Sequence, residues 1–257
     1  MQDGLLKSER SGKQIFFRSL LLPGIFLLLL WIIELAQEFS GSRIWSMGII
    51  PRKLDGLTGI FTAPFLHAGI DHLLSNTLPL LIVGAGLIYF YPTLALRVTI
   101  MVWLFGGIWV WLSGRDSSHI GASGLLYGFV VFLFFSGLMR KDTRLIAISL
   151  LVTFLYGSLV WGILPVDQSV SWESHLFGAL AGFICAVYYR KDGPQKPKAQ
   201  WEIDEEYELL HPEIQDESDM ISSSAESSNE QKPDSTPVQI RYIFKPDADE
   251  KQADKGF

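Results

Sequence analysis

The chain has a single cysteine, Cys185, and it lies inside an apolar run. Such a chain can form neither an intramolecular disulfide nor a thiolate metal cluster, so Cys185 is expected to fill space as a small buried apolar residue. No H-E-x-x-H occurs, which removes the helical zinc-hydrolase signature, and neither a metal nor any other cofactor is expected. Aspartate is missing from every long apolar run, which excludes a pair of intramembrane carboxylates as a catalytic device. No basic stripe marks a nucleic-acid surface, so nucleic acid is not an expected partner.

Acidic charge is concentrated at one end. Residues 201–257 hold 5 Lys and Arg against 16 Asp and Glu, whereas residues 1–200 hold 16 against 11. The net charge of −6 over 257 residues therefore belongs to the tail. Rich in Glu, Asp, Ser and Gln, that tail cannot bury enough apolar surface to order itself. Residues 191–257 are expected to be a disordered acidic segment.

Long apolar runs fill the rest. A helix needs about 20 mostly apolar residues to cross a bilayer, and six segments meet or approach that length: 20–35, 72–89, 94–112, 120–139, 145–164 and 175–189. Pro165 is expected to stop the fifth. The first 18 residues are polar and basic, and the run after them is long for a cleaved signal peptide, so a retained first span is expected. An N-terminus on the cytoplasmic side puts twelve basic residues inside and four (Arg43, Arg52, Lys53, Arg115) outside. The imbalance predicts that both termini are cytoplasmic. The expected architecture is an all-α integral membrane protein: residues 1–18 a cytoplasmic segment, 19–190 a six-helix membrane domain, 191–257 the tail. The outer stretch 41–71 is too apolar for a solvated loop and is read as interfacial and partly helical.

Polar groups at membrane depth ask for a reason. The fourth run opens Gly121-Ala122-Ser123-Gly124, followed by Tyr127 and Gly128. Alone, a serine between glycines reads as a helix-packing contact. The sixth run opens Ser171-Trp172-Glu173-Ser174-His175, with Gly178 and Gly182 on the histidine's own face at +3 and +7. That small-residue stripe suits close packing against the glycines of the fourth helix, which would bring an imidazole within reach of a hydroxyl. Tyr127, one turn below Ser123, reads either as core packing or as a ring beneath the imidazole. On the second run, His72 and Asn76 are four apart and share a face. They read as oxyanion donors alongside the Ser123 N–H, or, for Asn76, as interhelical glue. His67 and His119 are expected near water, in loops.

H-x-x-x-N on the second run, G-A-S-G-x-x-Y-G on the fourth and H-x-x-G-x-x-x-G on the sixth, in that order, resemble the rhomboid intramembrane proteases over about residues 20–190. The resemblance implies a Ser–His dyad at Ser123 and His175, with Tyr127 and Gly121 supporting it. It further implies His72 and Asn76 at the oxyanion, and Gly178 and Gly182 in helix packing. It implies hydrolysis of single-span transmembrane proteins near the outer face, with substrate entry gated by the fifth helix and the loop after it. The expected location is an inner (plasma) membrane of bacterial type, with the lipid bilayer and those substrates as partners. A catalytically inactive rhomboid-like protein that binds membrane clients is the alternative. One departure stands out: where many members carry a Trp-Arg pair in the first outer loop, this chain has Arg43, Trp45 and Pro51-Arg52.

Overall fold

A computed structural model describes residues 2–42, 44–155, 161–193, 205, 207, 209 and 210. Among these residues all regular secondary structure is helical, apart from an isolated bridge between Ile49 and His119. The helices are α1 (Gln2–Ser40), the short α2 (Gly59–Thr62), α3 (Ile70–Phe90), α4 (Ala95–Ser113), α5 (Ser123–Arg140), α6 (Thr143–Leu155) and α7 (Trp172–Tyr188). All lie in a compact unit spanning Met1–Pro197. The four described residues of the second unit, 205, 207, 209 and 210, are helical and exposed. Elsewhere in the expected disordered tail, 191–193 form a turn and bends near the end of the first unit, and the rest lies outside the described residues.

Four helical stretches, Gly12–Ser40, Ile70–Phe90, Ala95–Ser113 and Ser123–Arg140, are long and apolar enough to cross a membrane, and Thr143–Phe154 is a shorter apolar helix. Burial runs opposite to that of a water-soluble helix. On α1, Leu21, Leu22, Ile25, Leu28 and Ile32 are exposed while Ser19, Glu34 and Gln37 are buried. Large apolar side chains face outward and polar ones inward because the surrounding solvent is hydrocarbon. These apolar helices mark an integral membrane protein.

The central element is α5, which is buried along most of its length and packs on α3, α4, α6 and α7. Its Phe132 and Leu133 are fully buried, in the same apolar core as Leu73, Val83 and Val98. Glycines set the closest approach. A methyl built on Gly178 of α7 would lie 2.8 Å from the Gly124 carbonyl carbon of α5, and one on Gly182 would lie 2.8 Å from that of Gly128. Backbones touch there because neither side has a Cβ.

The stretch 41–69 is folded against the bundle by its own polar groups. Ile49 and His119 exchange backbone bonds of 3.0 and 2.9 Å. The Trp111 indole donates to the Lys53 carbonyl and the Trp103 indole to that of Ile60. Arg52 stands next to Pro51 and donates to the Gly114 carbonyl and the Asp116 carboxylate, so it ties this loop to the 114–119 loop. In this way 41–69 fixes the backbone ahead of α5.

Two expectations need correction. The fifth apolar run does not stay helical to Leu164. Described helix α6 ends at Leu155, residues 156–160 fall outside the described part, and Gly162–Val166 form turns. Pro165 has no N–H to give and pushes the residue before it out of the helical region. The other concerns His67 and His119, which do occupy loops but are buried from water at 0% and 1% exposure.

Candidate active site

Ser123 is the first residue of α5. The turn that delivers it runs through Gly121 at φ +111, a conformation that side chains other than glycine rarely adopt. Three bonds hold that turn: Gly121 N–H donates to the Ala63 carbonyl at 2.9 Å, Ala122 N–H to His67 Nε2 at 3.4 Å, and Leu126 N–H to the Ala122 carbonyl at 3.1 Å. A helix leaves its first N–H groups without intrahelical acceptors and carries partial positive charge at that end. Ser123 thus combines a hydroxyl with free backbone donors beside it.

His175 lies in the first turn of α7. Ser171 caps that helix, its hydroxyl oxygen accepting from the Ser174 N–H. The Gly124–Gly178 approach brings His175 Nε2 to 2.7 Å from Ser123 Oγ. Its other ring nitrogen, Nδ1, is 2.8 Å from the Gly162 carbonyl oxygen. A carbonyl only accepts, so Nδ1 carries the hydrogen, and a neutral imidazole then presents the Nε2 lone pair to the serine hydroxyl. The Tyr127 ring stacks on the imidazole, centroids 4.2 Å apart and planes 11° from parallel. Ser123 and His175 are 6% and 7% exposed, so their bond is largely shielded from water.

His72 and Asn76 occupy one face of α3, and both line a cavity of about 290 Å³ that also touches Ser123, Tyr127 and His175. Trp161, Leu164 and Val166 form its apolar wall. A second cavity of about 520 Å³ also reaches Ser123, His72 and His175, and is lined by Arg115, Ser117, Ser118 and residues 168–171. The Ala68 N–H donates to His72 Nδ1 at 3.4 Å, which leaves Nε2 as the N–H of the neutral ring, next to both cavities. Asn76 Nδ2 donates to the His72 carbonyl at 3.0 Å; its second N–H is free among the described residues to bond elsewhere.

The sequence-derived set is therefore brought together: Ser123, His175 and Tyr127 in direct contact, His72 and Asn76 along the same cavity, Gly121 at the strained turn, Gly178 and Gly182 against α5. Sequence reasoning missed the Gly162 carbonyl, a backbone group that residue identity does not advertise. It also missed His67, which meets the His72 ring edge-on at 5.1 Å between centroids and braces Ala122. Burial lowers the His67 pKa to about 3, with the His72 ring adding to the effect. The missed signal was its spacing, five residues before His72 and joined to it through Gly69.

A family model for the Rhomboid domain matches residues 55–192, more than half of the chain. The chain belongs to the rhomboid family. The matched stretch contains every residue of the site just described. Uncharacterized proteins of Mycobacterium tuberculosis and Mycobacterium leprae are similar to it. The first is 41% identical over 185 residues, covering 66% of this chain and 74% of the relative. The second is 39% identical over 186 residues, covering 66% and 70%. RHOMBOID-like protein 1 of Arabidopsis thaliana is 32% identical over 136 residues, 51% of this rhomboid chain and 34% of the plant protein.

Proposed function

We propose that this rhomboid-family chain is an intramembrane serine endopeptidase that cleaves single-span transmembrane proteins near the outer membrane face. The observation that carries the reading is the 2.7 Å approach of His175 Nε2 to Ser123 Oγ with Nδ1 held by a carbonyl. A serine hydroxyl is a weak nucleophile until a base takes its proton. Here the base is oriented by a backbone oxygen and a stacked tyrosine instead of a carboxylate.

Ser123 Oγ attacks the scissile carbonyl carbon while its proton passes to His175 Nε2. The carbonyl oxygen becomes an oxyanion, met by the Ser123 N–H, His72 Nε2–H and the free Asn76 N–H. The C–N bond then breaks as the imidazolium returns the proton to the leaving amine. Water adds to the acyl-serine, losing a proton to Nε2, and the ester breaks to release the acid and restore the hydroxyl. The 520 Å³ cavity, lined by serines and an arginine, is the side from which that water enters; the apolar 290 Å³ cavity takes a substrate side chain. In this reading six helices span the membrane, both termini are cytoplasmic, and the acidic tail lies on the side opposite the site.

The test is cleavage of a model single-span substrate by Ser123→Ala, His175→Ala and the double variant, with fluorophosphonate labelling of the wild type. Because both residues serve one proton transfer, the three variants are expected to be similarly inactive, each down by on the order of 10³-fold or more. Substantial cleavage by Ser123→Ala would remove the protease reading and leave a client-binding rhomboid-like protein in its place.

A further inference from the structure

A largely buried polar cluster that takes no part in the proton transfers joins the 114–119 loop to the start of α7. Arg115 Nη2 donates to the backbone carbonyls of Gln168 at 2.8 Å and Val170 at 2.7 Å. The Arg115 amide donates to Glu173 Oε1 at 3.3 Å, and its Nε lies 3.6 Å from the same oxygen. Glu173 is 3% exposed. Its Oε2 has no hydrogen-bond partner among the described residues and sits 3.9 Å from His119 Nδ1. His119 Nε2 is 3.1 Å from the Arg115 carbonyl and therefore carries the ring hydrogen; Nδ1 accepts from the Ser171 hydroxyl at 2.7 Å.

A carboxylate withdrawn from water is costly unless it is paired, and this one stands two residues from His175. The cluster touches neither reacting atom. What it does hold is the segment 162–170, and it holds one end of it. At the other end the Gly162 carbonyl bonds His175 Nδ1. Between these anchors Leu164, Val166 and Val170 wall the apolar cavity beside Ser123. A segment tied at both ends across a cavity is a cover, and the guanidinium with two carbonyls is the stronger tie, since hydrogen bonds from charged donors exceed neutral ones.

We propose that Arg115, neutralised by Glu173, is a latch that holds segment 162–170 closed across the dyad and keeps the Gly162 carbonyl on His175. Arg115 is then a positioning residue. This rests on the dyad reading above. Releasing the latch opens the cavity to a membrane substrate and at the same time loosens the base, so the two kinetic constants move together in a way that plain destabilisation does not produce.

Two variants of the full chain in detergent test this. Arg115→Lys keeps the charge beside Glu173 but replaces the fork that bonds two carbonyls. Arg115→Gln combined with Glu173→Gln removes both charges, so that no carboxylate is left buried without a cation. Amide hydrogen exchange by mass spectrometry and the KM and kcat for a model single-span substrate are measured for both, with fluorophosphonate labelling of Ser123 as reference. The double variant is expected to exchange segment 162–170 roughly tenfold faster or more, as lost charge-assisted bonds imply, with α4 and α5 unchanged. KM is expected to fall and kcat to fall with it, the lysine variant lying between double variant and wild type. Wild-type exchange in the segment, or faster exchange spread evenly over all helices with KM unmoved, would overturn the latch. If the wild type neither labels nor cleaves, the protease reading fails, and the exchange of 162–170 still decides the latch.

Discussion

Replacing Gly178 with alanine tests whether the site depends on backbone contact between α5 and α7. The new methyl carbon would sit 2.8 Å from the Gly124 carbonyl carbon and closer still to its oxygen. Ordinary contact between carbon atoms needs about 3.5 Å or more, and neither neighbour is a side chain that can turn aside. The helices must therefore part by roughly 1 Å, which costs about 1–3 kcal/mol of overpacking strain. The Ser123–His175 hydrogen bond, 2.7 Å long, bridges the same two helices one turn away. Lengthened by most of that parting, it passes beyond hydrogen-bonding range, and a misplacement of about 1 Å at a reacting centre costs on the order of 10²-fold in rate. Gly106→Ala is the control. Its methyl meets Gly178 from the α4 side at 3.6 Å, an ordinary contact, so its rate should stay near wild type. The assay is the rate of fluorophosphonate labelling of Ser123 and of substrate cleavage for the three proteins, with thermal unfolding as the folding check. A Gly178→Ala protein that labels at the wild-type rate, or a Gly106→Ala protein equally impaired, would refute the reasoning.

The 290 Å³ cavity should govern substrate entry: Trp161 lines it, whereas Phe154 on α6 is 79% exposed and faces outward. Trp161→Ala is expected to raise turnover of a membrane substrate several-fold and Phe154→Ala to leave it unchanged, both read from initial rates in liposomes. Stability should fall on acidification through His67, whose folded pKa of about 3 is below the 6.5 of the unfolded chain. Between those values the unfolded chain binds a proton that the folded one refuses, so stability present above pH 6.5 is lost as pH falls, by at most about 1.4 kcal/mol per pH unit. Thermal melts at pH 7, 6, 5 and 4 should show a shallower decline for His67→Asn than for wild type. The decline should not vanish, because burial also lowers the pKa of His119; identical slopes would count against His67.

Much of the site was legible in the chain because membrane burial makes polar residues conspicuous. Against apolar runs, Ser123, His175, His72 and Asn76 stand out one by one, and the glycines at +3 and +7 from His175 show which face of α7 packs closely. The structure pairs Gly178 with Gly124 and Gly182 with Gly128; the sequence offered Gly121, Gly124 and Gly128 as receivers, and the register among them comes from the structure. Two features were not legible. The tether on His175 Nδ1 comes from a backbone carbonyl, and every residue has one; only the path of 161–170 decides which carbonyl arrives. The burial of His67 and His119 was hidden for a related reason. A loop is normally wet, and nothing local shows that 41–69 is bonded so tightly to 114–121 that its histidines lose access to water.

Those illegible parts bear on how the proposed dyad would manage without a carboxylate. An acid on the imidazole would fix its tautomer and offset the charge that develops on it; a carbonyl at 2.8 Å fixes the tautomer and offers only a dipole. Such a base is more easily disturbed, because its partner belongs to a turn segment instead of a packed helix. The ring stacked at 4.2 Å restricts the imidazole from one face, and the glycine contacts set its distance from Ser123, but the in-plane orientation still depends on Gly162 staying where it is. In the proposed reading, orientation of the base and coverage of the site therefore both depend on segment 162–170. A residue that anchors this segment from outside, as Arg115 does, acts on both together.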